Sequence, residues 1–375
     1  MDFSNVPKTI SFEGEELIGI KQKLSKYPEE AKILEERAEK LLGTAIYSVV
    51  YKELVPESND PHDYMTMGTY WWPDPNKPDG LPYIRKDGYV NPQAKDRNSY
   101  GAMSEAAFNL AYAAYLFERE DYAKKAVEFI SAWHLDEATK MNPHAEYAQA
   151  IPGICEGRGI GIIDFRCSYR VFDATEILFA LGVLADEQYE ALQKWYIDFA
   201  NWLITSEKGI FIDNYFNNHG TWYDVQLLSV AKFTNRPELA KRVALSAYRK
   251  RISPQIMADG AQPHELARTQ AMSYSTMNLV GLTRIAKYAV KLGIKEYISP
   301  DAEKGVFLLE KAAMFLYPFT SDQNEFGYQQ IHPIDTSSDI AFVLRSLTEI
   351  TGDSSYAEKA EKFSDPKYLI HVTPV

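Results

Sequence analysis

The stretch Phe108–Phe117 reads FNLAYAAYLF and mixes alanine and leucine with large aromatic side chains. Its apolar residues recur at three- and four-residue spacing, which is typical of an α-helix. Because apolar side chains occur on nearly every side, the pattern predicts a helix that packs against neighbours on more than one face. We therefore expect this helix to pack closely between its neighbours.

The same helical spacing continues outward on both sides of this stretch. The predicted helices are Glu15–Leu42, Ser104–Phe117, Tyr122–Trp133, Ala174–Leu184, Asp186–Ile204, Trp222–Phe233, Pro237–Tyr248, Met272–Leu292, Glu303–Tyr317 and Asp339–Thr351. Strand-like alternation is scarce, and Gly209–Ile212 is the nearest candidate for a strand. Helices joined by short connections, without a repeat of fixed period, predict an all-α fold: an (α/α) barrel or toroid of antiparallel helix hairpins. We expect residues 1–375 to form one such domain, with long loops that carry the active site.

The composition excludes several classes of protein. The chain has 40 Lys and Arg against 52 Asp and Glu, a formal net charge of -12, so no nucleic-acid partner is expected. No apolar run approaches the ~18 residues of a membrane span, so no membrane insertion is expected. An aromatic content of 13% suits a protein that stacks sugars or bases, although a large helical core absorbs aromatics equally well.

The cysteines and the first residues say little about the cellular compartment. Cys155 and Cys167 are too few for a disulfide framework or a metal quartet, and buried thiols are favoured over a pair. The start, Met1-Asp-Phe-Ser-Asn, lacks the charged and apolar regions of a signal peptide. The chain is therefore either cytoplasmic or carries an initiator methionine where a signal peptide was removed.

Three irregular segments interrupt the helical pattern. The first covers 62–93, the second covers 141–164, and the third lies in two pieces, 217–220 and 259–274. A loop of about 30 residues without periodicity is usually functional or disordered, and the aromatic residues of the first segment argue against disorder. We therefore expect the chemistry in these segments.

Two common kinds of site lack their signatures. The seven histidines are dispersed and no His-x-x-x-His pair occurs, so no metal is expected. A Gly-x-Ser-x-Gly nucleophile motif is absent. The glycines of Gly157-Arg158-Gly159 lack a dinucleotide fingerprint and predict a tight turn. No cofactor is expected.

A different set of side chains suggests a carboxylate site. Asn218 and His219 precede a predicted helix, where asparagine commonly caps the helix start, but both side chains can also face one ligand carboxylate. Arg268 adds a permanent cation and Tyr274 a phenol six positions later. Six residues of a straight helix turn by roughly 240°. Arg268 and Tyr274 therefore converge only if a helix begins or breaks between them, or if their long side chains reach around it.

Asparagine, histidine, arginine and tyrosine together suit β-elimination from a uronic acid. Removing the C5 proton places charge on the carboxylate, and donors around that carboxylate stabilise the resulting enolate. A tyrosine beside a cation ionises more readily, takes the C5 proton and returns a proton to the departing O4.

Motifs in this order resemble the alginate-lyase domain family of bacterial polysaccharide lyases. They are Tyr70-Trp71-Trp72-Pro73-Asp74-Pro75, Gly80-Leu-Pro-Tyr83, Asn91-Pro92, Ala148-Gln149-Ala-Ile-Pro-Gly153, Gly157-Arg158-Gly159, Asn218-His219 and Glu265-Leu-Ala-Arg268. The resemblance covers about residues 45–290, and within the family the chain is most similar to polysaccharide lyase family 38 and more distantly to family 5. It implies an (α/α) barrel, no obligatory metal, and catalytic Asn218, His219, Arg268 and Tyr274. Family 5 has Tyr-His where this chain has Tyr274-Ser275, and Tyr288 and Tyr223 are the alternative phenols.

Further residues are candidates for binding the polysaccharide. The candidates are Trp71, Trp72, Arg85, Tyr147, Gln149, Arg158 and His264. The tryptophans either stack on sugars or fill the core, the arginines bind substrate carboxylates or form surface ion pairs, and His264 binds or caps a helix. Glu265 and Asp164 are expected to orient Arg268 or a helix end.

The leading interpretation is a lyase that cleaves alginate in its mannuronate-containing regions, or a related 4-linked polyuronate such as glucuronan. A glycoside hydrolase on the same barrel needs two carboxylates ~5–9.5 Å apart, and a glycan-binding protein needs no Tyr274. For a bacterial lyase of this kind we expect an anionic polysaccharide partner and a periplasmic or secreted location. The sequence leaves the oligomeric state open.

Overall fold

The computed structural model describes residues 1–93, 98–294 and 307–363. Within these ranges the chain is mostly helical, as the apolar spacing predicts. The described residues form two compact units. The first contains residues 1–211 and 232–235, and the second contains residues 212–231 and 236–363. Organisation as a single domain stays a prediction.

The first unit is built from helices with a few short strands. Its helices are α1 (Gly14–Gln22), α2 (Pro28–Leu42), α3 (Asn98–Phe117), α4 (Glu120–His134), α5 (Ser168–Ala180), α6 (Asp186–Thr205) and most of α7 (Glu207–Asp213). Short 3₁₀ turns lie at Leu24–Lys26, Val49–Tyr51 and Gly159–Phe165.

Two predicted elements of this unit differ in the structure. The predicted helix Glu15–Leu42 is divided, because α2 restarts at Pro28, whose missing N–H is tolerated only in the first turn of a helix. The predicted strand Gly209–Ile212 is wrong, since these residues lie within α7. The Ser206 hydroxyl accepts a hydrogen bond from the Gly209 N–H (3.0 Å) and so caps the start of this short helix.

The core of the first unit surrounds α3, the helix that contains FNLAYAAYLF. Fourteen of its twenty residues are buried, which agrees with a helix that packs on several faces. The buried Tyr100 hydroxyl lies 2.9 Å from Ser168 Oγ and 3.0 Å from the Tyr196 hydroxyl. Tyr196 in turn lies 2.9 Å from His134 Nε2, and burial lowers the pKa of His134 to about 4. A neutral polar chain therefore crosses this core from α3 to α4, α5 and α6.

Short strands order the two irregular segments of the first unit. β1 (Met65–Met67) pairs in parallel with β4 (Tyr147–Ala150), and β2 (Trp71–Trp72) pairs antiparallel with β3 (Ile84–Arg85). Strands of two to four residues leave no periodic pattern, so the sequence did not predict them. Cys155 and Cys167, in the same part of the chain, are free thiols and half-buried.

The second unit contains α8 (Asn218–Phe233) up to Ala231, together with the helices that follow. These are α9 (Pro237–Ala247), α10 (Ser253–Gln255), α11 (Pro263–Leu266), α12 (Ala271–Lys291), α13 (Leu308–Leu316), α14 (Ser337–Thr351) and α15 (Ser355–Glu361). A π-helical turn, Tyr248–Ile252, joins α9 to α10. Residues 303–306 of the predicted helix Glu303–Tyr317 lie outside the described residues.

The helix α12 is the centre of the second unit, and α14 packs against it. A buried amide network ties α12 to the segment that carries Glu265 and Arg268. Asn278 Nδ2 donates to Gln255 Oε1 (3.0 Å) and to Gln262 Oε1 (2.8 Å), and Gln262 Nε2 donates to the Ser275 carbonyl (3.0 Å). In the described part of the chain, no helix has the length and apolar character needed to cross a membrane.

Candidate active site

At the start of α8, two neighbouring asparagines have different roles: one caps the helix and the other bonds to a buried carboxylate. Asn217 Oδ1 accepts a hydrogen bond from the His219 N–H (3.1 Å), so Asn217 caps the helix start. Asn218, which is fully buried, is held differently. Its backbone N–H donates to Glu265 Oε1 and its Nδ2 donates to Glu265 Oε2, each at 2.8 Å. The side chain of Asn218 is therefore fixed by a buried carboxylate and takes no part in capping.

Glu265 belongs to the short helix α11 and is 1% exposed. Burial raises the pKa of its carboxyl to about 7, while the two hydrogen bonds from Asn218 and the charge of Arg268 act in the opposite direction. From the sequence, Glu265 is expected to orient Arg268 or a helix end. In the structure it receives both donors of Asn218 at the start of α8 and lies within the electrostatic influence of Arg268.

Arg268 and Tyr274 lie together because the helix breaks between them. The helix α11 ends at Leu266 and α12 begins at Ala271, so the two residues do not share one straight helix. The guanidinium carbon of Arg268 lies 3.8 Å from the centroid of the Tyr274 ring. Both residues are half-buried. Arg268 and Tyr274 therefore lie in contact, and a break in the helix between them makes this possible, which is one of the arrangements that their six-residue spacing allowed.

A distant segment fixes this break. The Ala271 N–H donates to the Gln329 carbonyl (2.9 Å), and the Ile331 N–H donates to the Thr269 carbonyl (3.0 Å). The Gln330 side-chain oxygen accepts from the Met272 N–H (3.0 Å) at the first turn of α12. No sequence motif pointed to Gln330, because this cap is supplied from outside the helix that it serves.

A row of aromatic rings runs from His219 to His264. The His219 ring meets Tyr215 edge-on (5.8 Å between centroids), and Tyr215 stacks on Phe216 at 4.8 Å. Phe216 contacts the His264 ring at 4.7 Å. The Phe216 side chain is nevertheless 56% exposed. His264 is a candidate from the sequence, whereas no motif pointed to Phe216, which is next to Asn217 in the chain.

A buried arginine holds the backbone that precedes this site. Arg251, in the π-helical turn, is 1% exposed and forms an ion pair with Asp224 of α8 (Nε to Oδ2, 2.8 Å). Its Nη1 donates to the Tyr215 carbonyl (3.0 Å), and its Nη2 donates to the Asp213 carbonyl (2.8 Å). A Cβ at Gly220 would collide with the Tyr215 carbonyl oxygen and would lie 2.7 Å from Arg251 Nη1, so only glycine leaves room for both groups. Arg251 was not a candidate from the sequence.

Three of the predicted binding residues form a second cluster, in the first unit. Arg158 donates to the carbonyl and to Oε1 of Gln149, both at 2.9 Å, and its guanidinium carbon lies 5.7 Å from the Trp71 ring centroid. Gln149 Nε2 donates to Asp164 Oδ1 (2.8 Å), and its backbone adopts φ of 52°. A left-handed glutamine is strained, and such strain concentrates at functional sites.

The remaining predicted binding residues of the first unit have other partners. Trp72 Nε1 donates to the Tyr89 carbonyl (3.0 Å), and Lys86 lies 5.2 Å from the Trp72 ring centroid. Arg85 is exposed and forms an ion pair with Asp87 at 2.6 Å. Tyr147 is half-buried on β4, opposite Met65. The structure therefore joins Trp71, Gln149 and Arg158 but not Arg85.

The two alternative phenols have different surroundings from Tyr274. Tyr223 is 3% exposed, and burial with the charges of Asp213 and Asp224 raises its pKa. The Tyr288 hydroxyl lies 3.1 Å from Ser229 Oγ. Among the described residues, no group of three or more His, Cys, Asp or Glu is arranged to hold a metal ion.

Comparison with known proteins agrees with the motifs. A family model described as alginate lyase matches residues 49–326. A crystal structure of an alginate lyase from Bacteroides ovatus is 36% identical, has a TM-score of 0.90, and covers 98% of this chain and 100% of that chain. A search of curated proteins gave no significant match.

More distant structures share the fold. Alginate lyase A1-III from Sphingomonas species A1 is 17% identical with a TM-score of 0.52, over 90% of this chain and 93% of that chain. A variant of alginate lyase A1-III complexed with a tetrasaccharide is 16% identical with a TM-score of 0.52, over 91% of this chain and 94% of that chain.

The helical fold and these matches define the class of the protein, which is a polysaccharide lyase. The family match covers most of the chain, and the Bacteroides ovatus structure aligns along nearly all of it. The chain belongs to the alginate lyase family, and the resemblance drawn from the motifs is confirmed.

Proposed function

We propose that this lyase cleaves alginate, acting on mannuronate-containing regions by β-elimination, with Asn218, His219, Arg268 and Tyr274 as its catalytic residues. The observation that carries the proposal is the Arg268 guanidinium 3.8 Å from the Tyr274 ring centroid. A cation in contact with a phenol favours the phenolate, which is the form that accepts a proton. The alginate lyases with similar structures support the choice of substrate.

The substrate carboxylate is neutralised by Arg268, Asn218 and His219. Asn218 Nδ2 carries two hydrogens, and Glu265 Oε2 accepts one of them. The second hydrogen is the one that donates to the substrate. Because these donors are held before the substrate arrives, they stabilise the enolate without reorganising during the reaction.

Tyr274 moves the proton. Its phenolate takes the C5 proton, the C4–O4 bond breaks, and a C4–C5 double bond forms. In mannuronate and glucuronate the C5 proton and O4 lie on the same face of the ring. The Tyr274 hydroxyl formed in the first step therefore returns a proton to O4.

The first-unit cluster supports binding of further uronate rings. Arg158, Gln149 and Trp71 offer a guanidinium, an amide and an indole within one hydrogen-bonded group, which suits a ring that carries a carboxylate. Tyr147, Trp72, Arg85 and His264 are proposed as further contacts with the chain of sugars. Arg85 exchanges Asp87 for a substrate carboxylate at little cost, since the arginine is exposed.

We also propose that the helices form the single (α/α) barrel domain expected for the family, and that the enzyme meets its polymeric substrate in the periplasm or outside a bacterial cell. The mostly helical chain and the Bacteroides ovatus structure support the barrel. The polymeric nature of the substrate supports the location.

The experiment that tests the function is incubation with polymannuronate, polyguluronate and glucuronan while the ultraviolet absorbance of the unsaturated product is followed. We expect absorbance to rise with polymannuronate. A rise with glucuronan alone would reassign the substrate. New reducing ends without the chromophore would identify a hydrolase, and binding without either signal would identify a glycan-binding protein.

His219 provides a second, stereochemical prediction. Guluronate has the inverted C5 configuration, so its C5 proton faces away from O4 and a second base is required there. His219 is the candidate, because histidine titrates near neutral pH. We expect His219→Gln to reduce cleavage of guluronate blocks more steeply than cleavage of mannuronate blocks, each relative to wild type. Equal proportional losses would contradict the two-base scheme.

A further inference from the structure

Phe216 is exposed, yet it is held in place from both sides. Its neighbour Tyr215 is fixed by the hydrogen bond from buried Arg251 to its carbonyl, and Asn217 is fixed as the cap of α8. The Phe216 ring itself contacts the rings of Tyr215 and His264. An isolated exposed phenylalanine needs no explanation. The Phe216 ring, by contrast, is 56% exposed and is oriented by two other rings. It also lies only two positions before Asn218 in the chain, so its exposed face is placed to bind a ligand at the site.

The charges around this ring favour an anionic ligand. Three acidic residues lie on the segments 212–219 and 259–274 that carry the aromatic row, and each has a hydrogen-bond partner. Asp213 forms an ion pair with Lys250, Glu265 accepts both donors of Asn218, and Asp259 accepts from the Ala261 N–H. His219 and His264 stand at the two ends of the aromatic row, and Arg268 follows on the segment of His264. A ligand that combines an apolar surface with a carboxylate therefore fits this place.

A uronate ring has this combination. Its C–H groups form an apolar face that packs on an aromatic ring, while its carboxylate projects from the edge of the ring. We propose that Phe216, supported by Tyr215 and His264, is a stacking subsite for a uronate ring adjacent to the ring that reacts. The proposal rests on the proposed function and adds to it a binding residue that the motifs do not contain.

Such a subsite acts on binding of the polymer and leaves the proton transfer unchanged. Contacts to sugar rings that do not react contribute mainly to substrate affinity when they are equally strong in the ground state and the transition state. We therefore expect Phe216→Ala to raise KM for polymannuronate about tenfold, with kcat within about twofold of wild type. Phe216→Leu keeps apolar volume but loses the aromatic face, and it should resemble Phe216→Ala. Phe216→Tyr keeps the face and should restore KM.

The matched control is Phe179→Ala. Phe179 is also a partly exposed phenylalanine, 37% exposed and stacked on a tyrosine, Tyr189, at 4.2 Å. It lies at the end of α5, outside the candidate site, and its removal should leave KM unchanged. Thermal melting of each variant shows whether it is folded.

The outcomes separate this subsite from the proposed function. A wild type that forms no unsaturated product from any polyuronate would refute the function and the subsite together. An active wild type with an unchanged KM in Phe216→Ala would refute the subsite alone. A fall in kcat and melting temperature at constant KM, or a failure of Phe216→Tyr to restore KM, would also overturn it by making Phe216 a structural residue.

Discussion

At the scale of single residues, the proposed chemistry depends on one hydroxyl. We expect Tyr274→Phe to lower kcat by about 10²–10⁴-fold, because the phenol is the proposed proton carrier and general acid–base catalysis contributes an effect of that size. The ring against Arg268 is kept, so the fold and most of the substrate affinity should persist. Tyr288→Phe is the control. A Tyr274→Phe enzyme that keeps more than about a tenth of the activity would show that another group is the base.

The carboxyl of Glu265 should give the enzyme a pH dependence. Its pKa is raised to about 7 by burial, and its ionised form accepts the two hydrogen bonds from Asn218. As the pH falls below about 7, the carboxyl gains a proton and one of these bonds loses its acceptor, so kcat should fall. Arg268 is the charged neighbour that opposes this protonation.

The variant Glu265→Gln tests this dependence. Glutamine does not titrate, so the acidic limb at about pH 7 should disappear from the kcat profile, and kcat should be reduced at all pH values because the amide cannot accept from both donors of Asn218. An unchanged acidic limb in the variant would assign the limb to another group. The measurement is kcat as a function of pH for both proteins at saturating substrate.

At the scale of elements, the start of α8 is held by the π-helical turn. Gly220→Ala would press a methyl group against the Tyr215 carbonyl oxygen and against Arg251 Nη1, which is 2.7 Å from the position of the new Cβ. The guanidinium would have to move, and the Tyr215 carbonyl would lose its donor. We expect the free energy of unfolding to fall by about 1–3 kcal/mol and kcat to fall with it.

The control for this substitution is Gly19→Ala in α1. A Cβ at Gly19 meets no atom within 4 Å, so alanine should be neutral or slightly stabilising there. Urea unfolding and steady-state kinetics of both variants measure the difference. Equal effects of the two substitutions would show that the close packing of Gly220 against Tyr215 and Arg251 does not hold the site.

At the scale of the whole molecule, a buried carboxyl limits stability at high pH. Burial raises the pKa of Glu176 to about 7 in the folded protein, well above its usual value of 4.5. Between these pH values the folded state holds a proton that the unfolded chain has released, so stability falls as the pH rises. Asp173 adds to this shift, whereas Lys8 and Lys232 oppose it.

We expect Glu176→Gln to stabilise the protein by about 1–3 kcal/mol near pH 8 and to have little effect near pH 4. Glutamine still accepts the hydrogen bond that the Tyr189 hydroxyl donates to Glu176. Urea unfolding at the two pH values gives the measurement, with the exposed Glu190→Gln as control. A stabilisation that is equal at both pH values would contradict the titration of Glu176.

The helices of this protein could be predicted from local sequence because their signal is local. Apolar residues at helical spacing predicted both ends of α6, α9 and α14 to within two residues, and the end but not the start of α3. The prediction succeeds because a helix buries the face that its own sequence provides. The strands in the irregular segments were not predicted, because they are too short to show alternation. The family could likewise be predicted from the sequence, since its motifs are short contiguous stretches of residues.

The partners of the polar side chains at the site depend on residues that are distant in the sequence. Asn217 and Asn218 are neighbours of the same type, yet one caps a helix and the other bonds to Glu265, 47 residues away. Arg268 contacts Tyr274 across the break between α11 and α12, where Gln330 bonds to the first turn of α12. Apolar burial depends on periodicity along the chain. A hydrogen bond between distant residues depends instead on the folded chain placing donor and acceptor within about 3 Å of each other. The helices and the family therefore follow from local sequence, whereas the hydrogen-bond partners at the site follow from the folded chain.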